Sequence, residues 1–217
     1  MTASDTTPRR TRVVLGATCF IDAEAALGLA TELARQTGAE LHGVLVRETA
    51  ALAATTGRSG TVITYSGTRE TGISAEAMVR AFRADARRFQ ERLSRAARAA
   101  ALHAAFQQAE GPLPEAVRAD ARAGDIIVLG IRRVLRAGSD IVVVAPEGAS
   151  VPAFAEALAQ RLGRHLLRLP PGDLLARLDR MSPTAVILSG PQSELPALAK
   201  IVQTARCPVI VPLEVPG

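Results

Sequence analysis

Three arginines stand where an anion could be held. Arg132, Arg133 and Arg136 follow the apolar run at 126–129 and lie between Gly130 and the pair Gly138–Ser139. Guanidinium groups grip phosphate or carboxylate through paired planar donors, and glycine lets backbone N–H groups come close to an anion. A second set, Gly16, Ala17 and Thr18, closes the run that starts at Arg12, and Val46 closes another at 41–46. Ligands of open α/β sheets sit just beyond the carboxyl ends of the strands, so these residues form the candidate ligand-binding set. A charged connector facing water also accounts for the arginines, and it is the plainer reading.

Other chemistry finds little support. Lys200 is the sole lysine and Ala199 precedes it, so no GxxxxGK[ST] phosphate loop exists. His42, His103 and His165 fall in or beside separate predicted strands, which suits structural histidines better than a metal or catalytic set. Cys19 and Cys207 form no CxxC or Cys/His cluster, which argues against zinc. Cys19 ends a strand, where a helix N-terminus could activate a thiol; a buried small hydrophobe is the commoner outcome. The loop 189–193 (SGPQS) follows a late strand and lacks the aspartate of a pyrophosphatase loop, and the acidic cluster of a receiver domain is missing. No Ser/His/Asp or Cys/His spacing supports nucleophilic catalysis, so the catalytic set is empty and a non-enzymatic role is expected.

The elements that would position the candidates follow from short, β-branched apolar runs, the mark of strands buried on both faces of a parallel sheet. Strands are predicted over 12–17, 41–46, 102–109, 126–129, 141–145, 165–169, 185–188 and 209–213. Pro212 in the last one argues for an edge or the end of pairing. Helices are predicted from Ile21 to a stop at Gly38, and over 74–101, 114–122, 152–162, 173–181 and 195–204. Met78, Phe82, Ala86, Phe89, Leu93 and Ala97 make a 3.6-period stripe. Arg80, Arg83, Arg87, Arg95 and Arg98 line the other side, as a solvated face or an anion comb. The stretch 48–73, rich in Gly, Thr and Ser, is either a flap over the strand ends or an incidental excursion. Residues 1–11 read as a flexible tail.

Bulk properties set the frame. The net charge of +5 comes almost wholly from arginine, which with abundant alanine fits a GC-rich bacterial genome. Aromatic content of 3% leaves few stacking platforms, so nucleic acid is a poor partner. The polar start MTASDTTPRRTR lacks a secretory h-region, and no apolar run nears the roughly 20 residues of a membrane span. A cytoplasmic protein without membrane insertion is expected.

The chain repeats itself. RVVLGATCFIDAEAALGLATELARQTGAELHGVLV runs parallel to DIVVVAPEGASVPAFAEALAQRLGRHLLRL, and PEAVRADARAGDIIVLGI to GDLLARLDRMSPTAVILSGP. Two units are expected, 12–138 and a shortened 139–217. With RVVLGA, TGAELHGVLV, GDIIVLGI and the closing LAKIVQTARCPVIVPL, the chain resembles the universal stress protein family, as a degenerate tandem of two units. The resemblance implies an open, mostly parallel α/β sheet with helices on both faces, of the adenine nucleotide alpha hydrolase-like kind. It also implies stress-related function and a homodimer formed through the last strand, with a protein partner as a further option. Nucleotide-binding members carry an acid at the end of the first strand and a Gly-x2-Gly-x9-Gly-Ser/Thr run after the fourth. Here Gly16, Ala17 and Thr18 supply no acid, Arg133 replaces the second glycine, and Gly138–Ser139 comes too early. No cofactor is therefore expected, and the protein is read as a regulatory or partner-binding module with a degenerate nucleotide pocket. The alternative is an ATP- or AMP-binding stress protein with a rewritten phosphate loop and weak ATPase activity.

Overall fold

RVVLGA has no polar interruption and forms β1 (Arg12–Ala17), buried along its whole length. α1 (Phe20–Thr37) follows and buries Ala23, Ala26, Ala30, Leu33 and Ala34 along one stripe. It ends at Gly38, whose φ of +65° is left-handed, and the Gly38 and Ala39 N–H groups both donate to the Ala34 carbonyl. The chain then enters β2 (Glu40–Arg47). The structure, a computed structural model, describes residues 11–48, 62–63, 69–70, 75–131, 138, 140–172, 174–190 and 197–213. The tail at 1–10, most of the stretch 48–73, Ser74, Arg132, Arg133, Arg136, Ser139, Asp173 and 191–196 lie outside the described residues.

Within 48–73, β3 (Val62–Ile63) and β4 (Arg69–Glu70) pair antiparallel as a separate two-stranded sheet. α2 (Ala75–Ala99) is the long helix of the 3.6-period stripe: Ala86, Phe89, Leu93 and Ala97 are buried, while Arg80, Arg83, Arg87, Arg95 and Arg98 are exposed. β5 (Ala104–Glu110), α3 (Leu113–Asp120) and β6 (Ile126–Leu129) come next. β7 (Asp140–Val144), α4 (Ala153–Leu162), β8 (His165–Leu169), α5 (Leu174–Arg180), β9 (Ala185–Leu188), α6 (Leu198–Ala205) and β10 (Val209–Pro212) complete the order.

One eight-stranded sheet runs β5-β2-β1-β6-β10-β9-β7-β8. Every neighbouring pair is parallel except β10 against β6. β1 lies between β2 and β6, and β7 lies in the same way between β8 and β9. Helices cover both faces: α1, α2 and α4 enclose one apolar cluster, and α3, α5 and α6 the other.

The last strand is not an edge. β10 sits between β6 and β9, so it has no free side to offer a second copy, and the expected dimer through this strand has no route. Pro212 is tolerated there because only Val209 and Ile210 pair with β9, and the proline faces Ile126 at the strand's last position. The sheet's outer strands are β5 and β8. No helix among the described residues is long and apolar enough to cross a membrane.

Candidate functional site

A cavity of about 430 Å³ opens at the carboxyl ends of β1, β2 and β6, between α3 and α6. This is the position that a parallel sheet favours for ligands. Thr18 and Gly130, from the candidate set, both line it. The Gly130 N–H donates to the Gly16 carbonyl at 2.7 Å, which ties the ends of β1 and β6 together. A Cβ on Gly130 would stand 2.8 Å from the Asp22 carbonyl oxygen, so glycine is needed for close packing of α1 over the strand end.

The remaining candidates are placed differently. Ala17 and Val46 are fully buried in the core and do not line the cavity. Gly16 faces α3: a Cβ there would lie 2.2 Å from Val117 Cγ2, so this glycine makes room for a helix. Gly138 is packed against the Ser182 carbonyl, 1.8 Å from where its Cβ would be, and its own carbonyl accepts from Thr184 Oγ1 at 2.8 Å. It precedes β7, three strand steps from β6 in the sheet order, or about 14 Å. Gly130 and Gly138 are therefore not brought together. Arg132, Arg133, Arg136 and Ser139 lie outside the described residues.

The cavity's charge comes from residues that the sequence patterns did not single out as site residues. Asp22, Glu48 and Glu115 bring three carboxylates to the described lining, against one guanidinium, from Arg206. Glu48 follows β2 directly, and its Oε1 accepts the Leu113 N–H at 3.4 Å, at the start of α3. Pro112, the N-cap of α3, offers no side-chain acceptor, so Glu48 supplies the negative charge that the helix dipole favours. At α1 the N-cap is Cys19, which makes no side-chain cap bond; the Phe20 N–H instead donates to Asp85 Oδ2 of α2 at 3.0 Å. Burial pushes the Cys19 thiol up from its ordinary value, the opposite of activation. Only first-turn position hinted at Asp22; Glu48 and Asp85 act across 65 residues each, a distance no local pattern spans.

Beyond β7 and β9 the strand ends are tied in the same way. The Ser189 N–H donates to the Val144 carbonyl at 2.8 Å, as Gly130 does to Gly16. Gly190, at φ +110°, leaves Pro146 Cδ 3.0 Å from where a Cβ would stand. Arg168 reaches over from β8 and donates through Nη2 to the carbonyls of Pro146 and Ala149, at 2.5 and 2.7 Å. Among the described residues, no group of three or more His, Cys, Asp or Glu is placed to hold a metal.

No protein-family model matches the sequence, and no curated protein does. Solved structures resemble the chain over nearly its whole length, two universal stress proteins among them. One is a universal stress protein from Archaeoglobus fulgidus DSM 4304, 11% identical over 94% of this chain and 96% of that one, with a TM-score of 0.43. The other is a protein of the universal stress protein family from Burkholderia pseudomallei, 17% identical over 94% of this chain and 96% of that one, with a TM-score of 0.33.

Proposed function

We propose that this chain is a regulatory or partner-binding protein of universal-stress type that carries out no chemistry and does not depend on a nucleotide. The observation that carries this reading is the occupation of both helix N-termini that follow strands at the open mouth. Asp85 caps α1 and Glu48 caps α3, so the N–H groups that would favour a phosphate already face carboxylates. With Asp22 and Glu115 beside them, the described lining carries two more negative charges than positive ones (three carboxylates, one guanidinium). A triphosphate entering there meets like charge instead of a cradle. The shared placement of β1 between β2 and β6, and of β7 between β8 and β9, supports two related units.

An ATP- or AMP-binding role with a rewritten loop is the second reading. Its support is that Ile131, which lines the cavity, is followed directly by Arg132 and Arg133. Two measurements separate the readings. The purified chain is denatured and its supernatant read for nucleotide absorbance, and the native chain is titrated calorimetrically with ATP, AMP and cyclic dinucleotides. The first reading expects no released nucleotide and no heat, and expects a Glu48→Gln/Asp85→Asn variant to bind AMP better than the parent. Stoichiometric nucleotide released from the parent, or micromolar binding by it, overturns that reading in favour of the second.

A further inference from the structure

Away from the strand ends, α1 and α2 enclose a groove of about 540 Å³ that shares no lining residue with the mouth. Its floor is apolar and low, made by Leu27, Ala96 and Ala99 around Gly28. Glycine is the poorest helix former after proline, yet Gly28 sits in the middle of α1. Nothing lies within 4 Å of where its Cβ would be, so the molecule's own packing does not require it. Its effect is to keep the floor of the groove open.

The rim is basic. Four arginines face two glutamates. Glu24 is held by Arg92 at 2.9 Å, and Glu32 is shared between Arg35 at 2.7 Å and Arg161 at 3.5 Å. Arg95 is exposed and has no carboxylate partner among the described residues. Two positive charges are left over (four guanidiniums less two carboxylates), and the neighbouring exposed Arg88 and Arg98 extend the same field.

We propose that this groove docks an acidic amphipathic helical segment of a partner protein, its apolar face on the floor over Gly28 and its carboxylates on Arg95 and the rim. Charge complementarity selects an acidic occupant. The apolar floor selects a peptide over a phosphate backbone, which gains nothing from Leu27 and alanine. The chain's own segments outside the described residues do not qualify. Residues 1–10 hold Asp5 against Arg9 and Arg10, 49–61 hold Arg58 and no acid, 64–68 and 71–74 hold no charge, 132–137 hold only arginine charges, and 191–196 and 214–217 hold one glutamate each, Glu194 and Glu214.

The test uses the full chain and a fluorescein-labelled probe of about 16 residues, with leucines at i, i+4, i+7 and i+11 and glutamates between, read by anisotropy. A scrambled probe of identical composition and a single-stranded oligonucleotide of equal charge serve as competitors. Saturable binding is expected, weakened about tenfold or more by Arg95→Glu and by Gly28→Leu, whose side chain has free space to fill. Gly28→Ala should keep most of the binding. The scrambled probe should be about tenfold weaker. Equal affinity for the scrambled probe, indifference to Gly28→Leu in a variant with the parent's circular dichroism, or stronger binding of the oligonucleotide overturns the proposal. The mouth's response to nucleotide is a separate measurement on separate residues, so either reading can fail alone.

Discussion

Gly16→Ala adds one methyl group where the chain has no room for it. The Cβ would stand 2.2 Å from Val117 Cγ2, 3.3 Å from its Cβ and 3.4 Å from its Cγ1. Turning the valine offers little relief, because its Cβ is itself close and β-branched side chains keep few rotamers. Backing α3 away is resisted at both of its ends. Leu113 at the start is bonded to Glu48, and the Asp120 carbonyl at the end accepts Arg12 Nη2 at 2.7 Å. Overpacking of this kind costs about 1–3 kcal/mol. For a chain of this size, that corresponds to a fall in Tm of roughly 2–12 °C. Val117→Ala alone removes two fully buried methyl groups and should cost about 2 kcal/mol with its cavity. In the double variant the new methyl enters the space the valine has left, so its cost should fall short of the sum by about 1–2 kcal/mol. Urea denaturation of the four chains, compared by midpoint at constant m, measures that coupling. Additivity within about 0.3 kcal/mol, or a neutral Gly16→Ala, would show that Gly16 is not the seat of α3 and return it to the ligand-binding candidates.

Two further outcomes follow from the buried cluster at the amino ends of the strands. Asp125 accepts from the Arg12 backbone N–H, from Arg12 Nε and Nη2, and from the Arg122 N–H, with both charged side chains buried. Asp125→Ala leaves the Arg12 guanidinium without its main partner and should cost about 3–5 kcal/mol by urea denaturation. Asp120→Ala, a partly exposed contact at 3.4 Å, should cost about 1 kcal/mol or less, and the reverse ranking would refute the assignment. His42 faces Asp120, with Asp125, Arg12 and Arg122 acting on it from nearby; burial is the largest influence and lowers its pKa below the ordinary value. A depressed folded-state pKa favours the neutral ring, so His42's contribution is complete above the unfolded value of about 6.5 and is lost as pH falls from there toward the folded value. The urea midpoint should drop between about pH 7.5 and about pH 5.5, and His42→Asn should flatten that drop; an unchanged slope in the variant refutes it.

The strands were legible because burial on two faces leaves little choice of residue. VVL, VLV, IIVL and IVVV announce themselves without any partner in view. Direction was not legible, since nothing in VIVP says that β10 meets β6 antiparallel across some 80 residues of chain. Pro212 leaves an edge and the end of pairing equally open, and only the register shows that pairing with β9 stops before it. At the mouth the sequence alone does not show what Gly16 packs against. Glycine near a strand's carboxyl end reads as access for an anion, whereas Gly16 makes room for Val117. Glu48 and Asp85 were invisible as caps because each serves a helix far away in the chain.

The antiparallel seam has a consequence for any ligand. Val209 opposes Leu129 and Pro212 opposes Ile126, so the carboxyl end of β6 shares a rim with the amino end of β10. β9 and β7 run parallel to β10, which sends their carboxyl ends to the opposite rim. The mouth beyond β1 and the mouth beyond β7 therefore face away from each other across the length of the strands. One small molecule cannot bridge them, and the contacts of Arg168 at the second do not reach the first. Communication between the two halves has to pass through elements that touch both. On the face that carries the groove that element is α1, which packs against α2 and α4 while its first turn lines the open mouth. A segment docked over Gly28 would lie on the helix whose first turn reaches the open mouth.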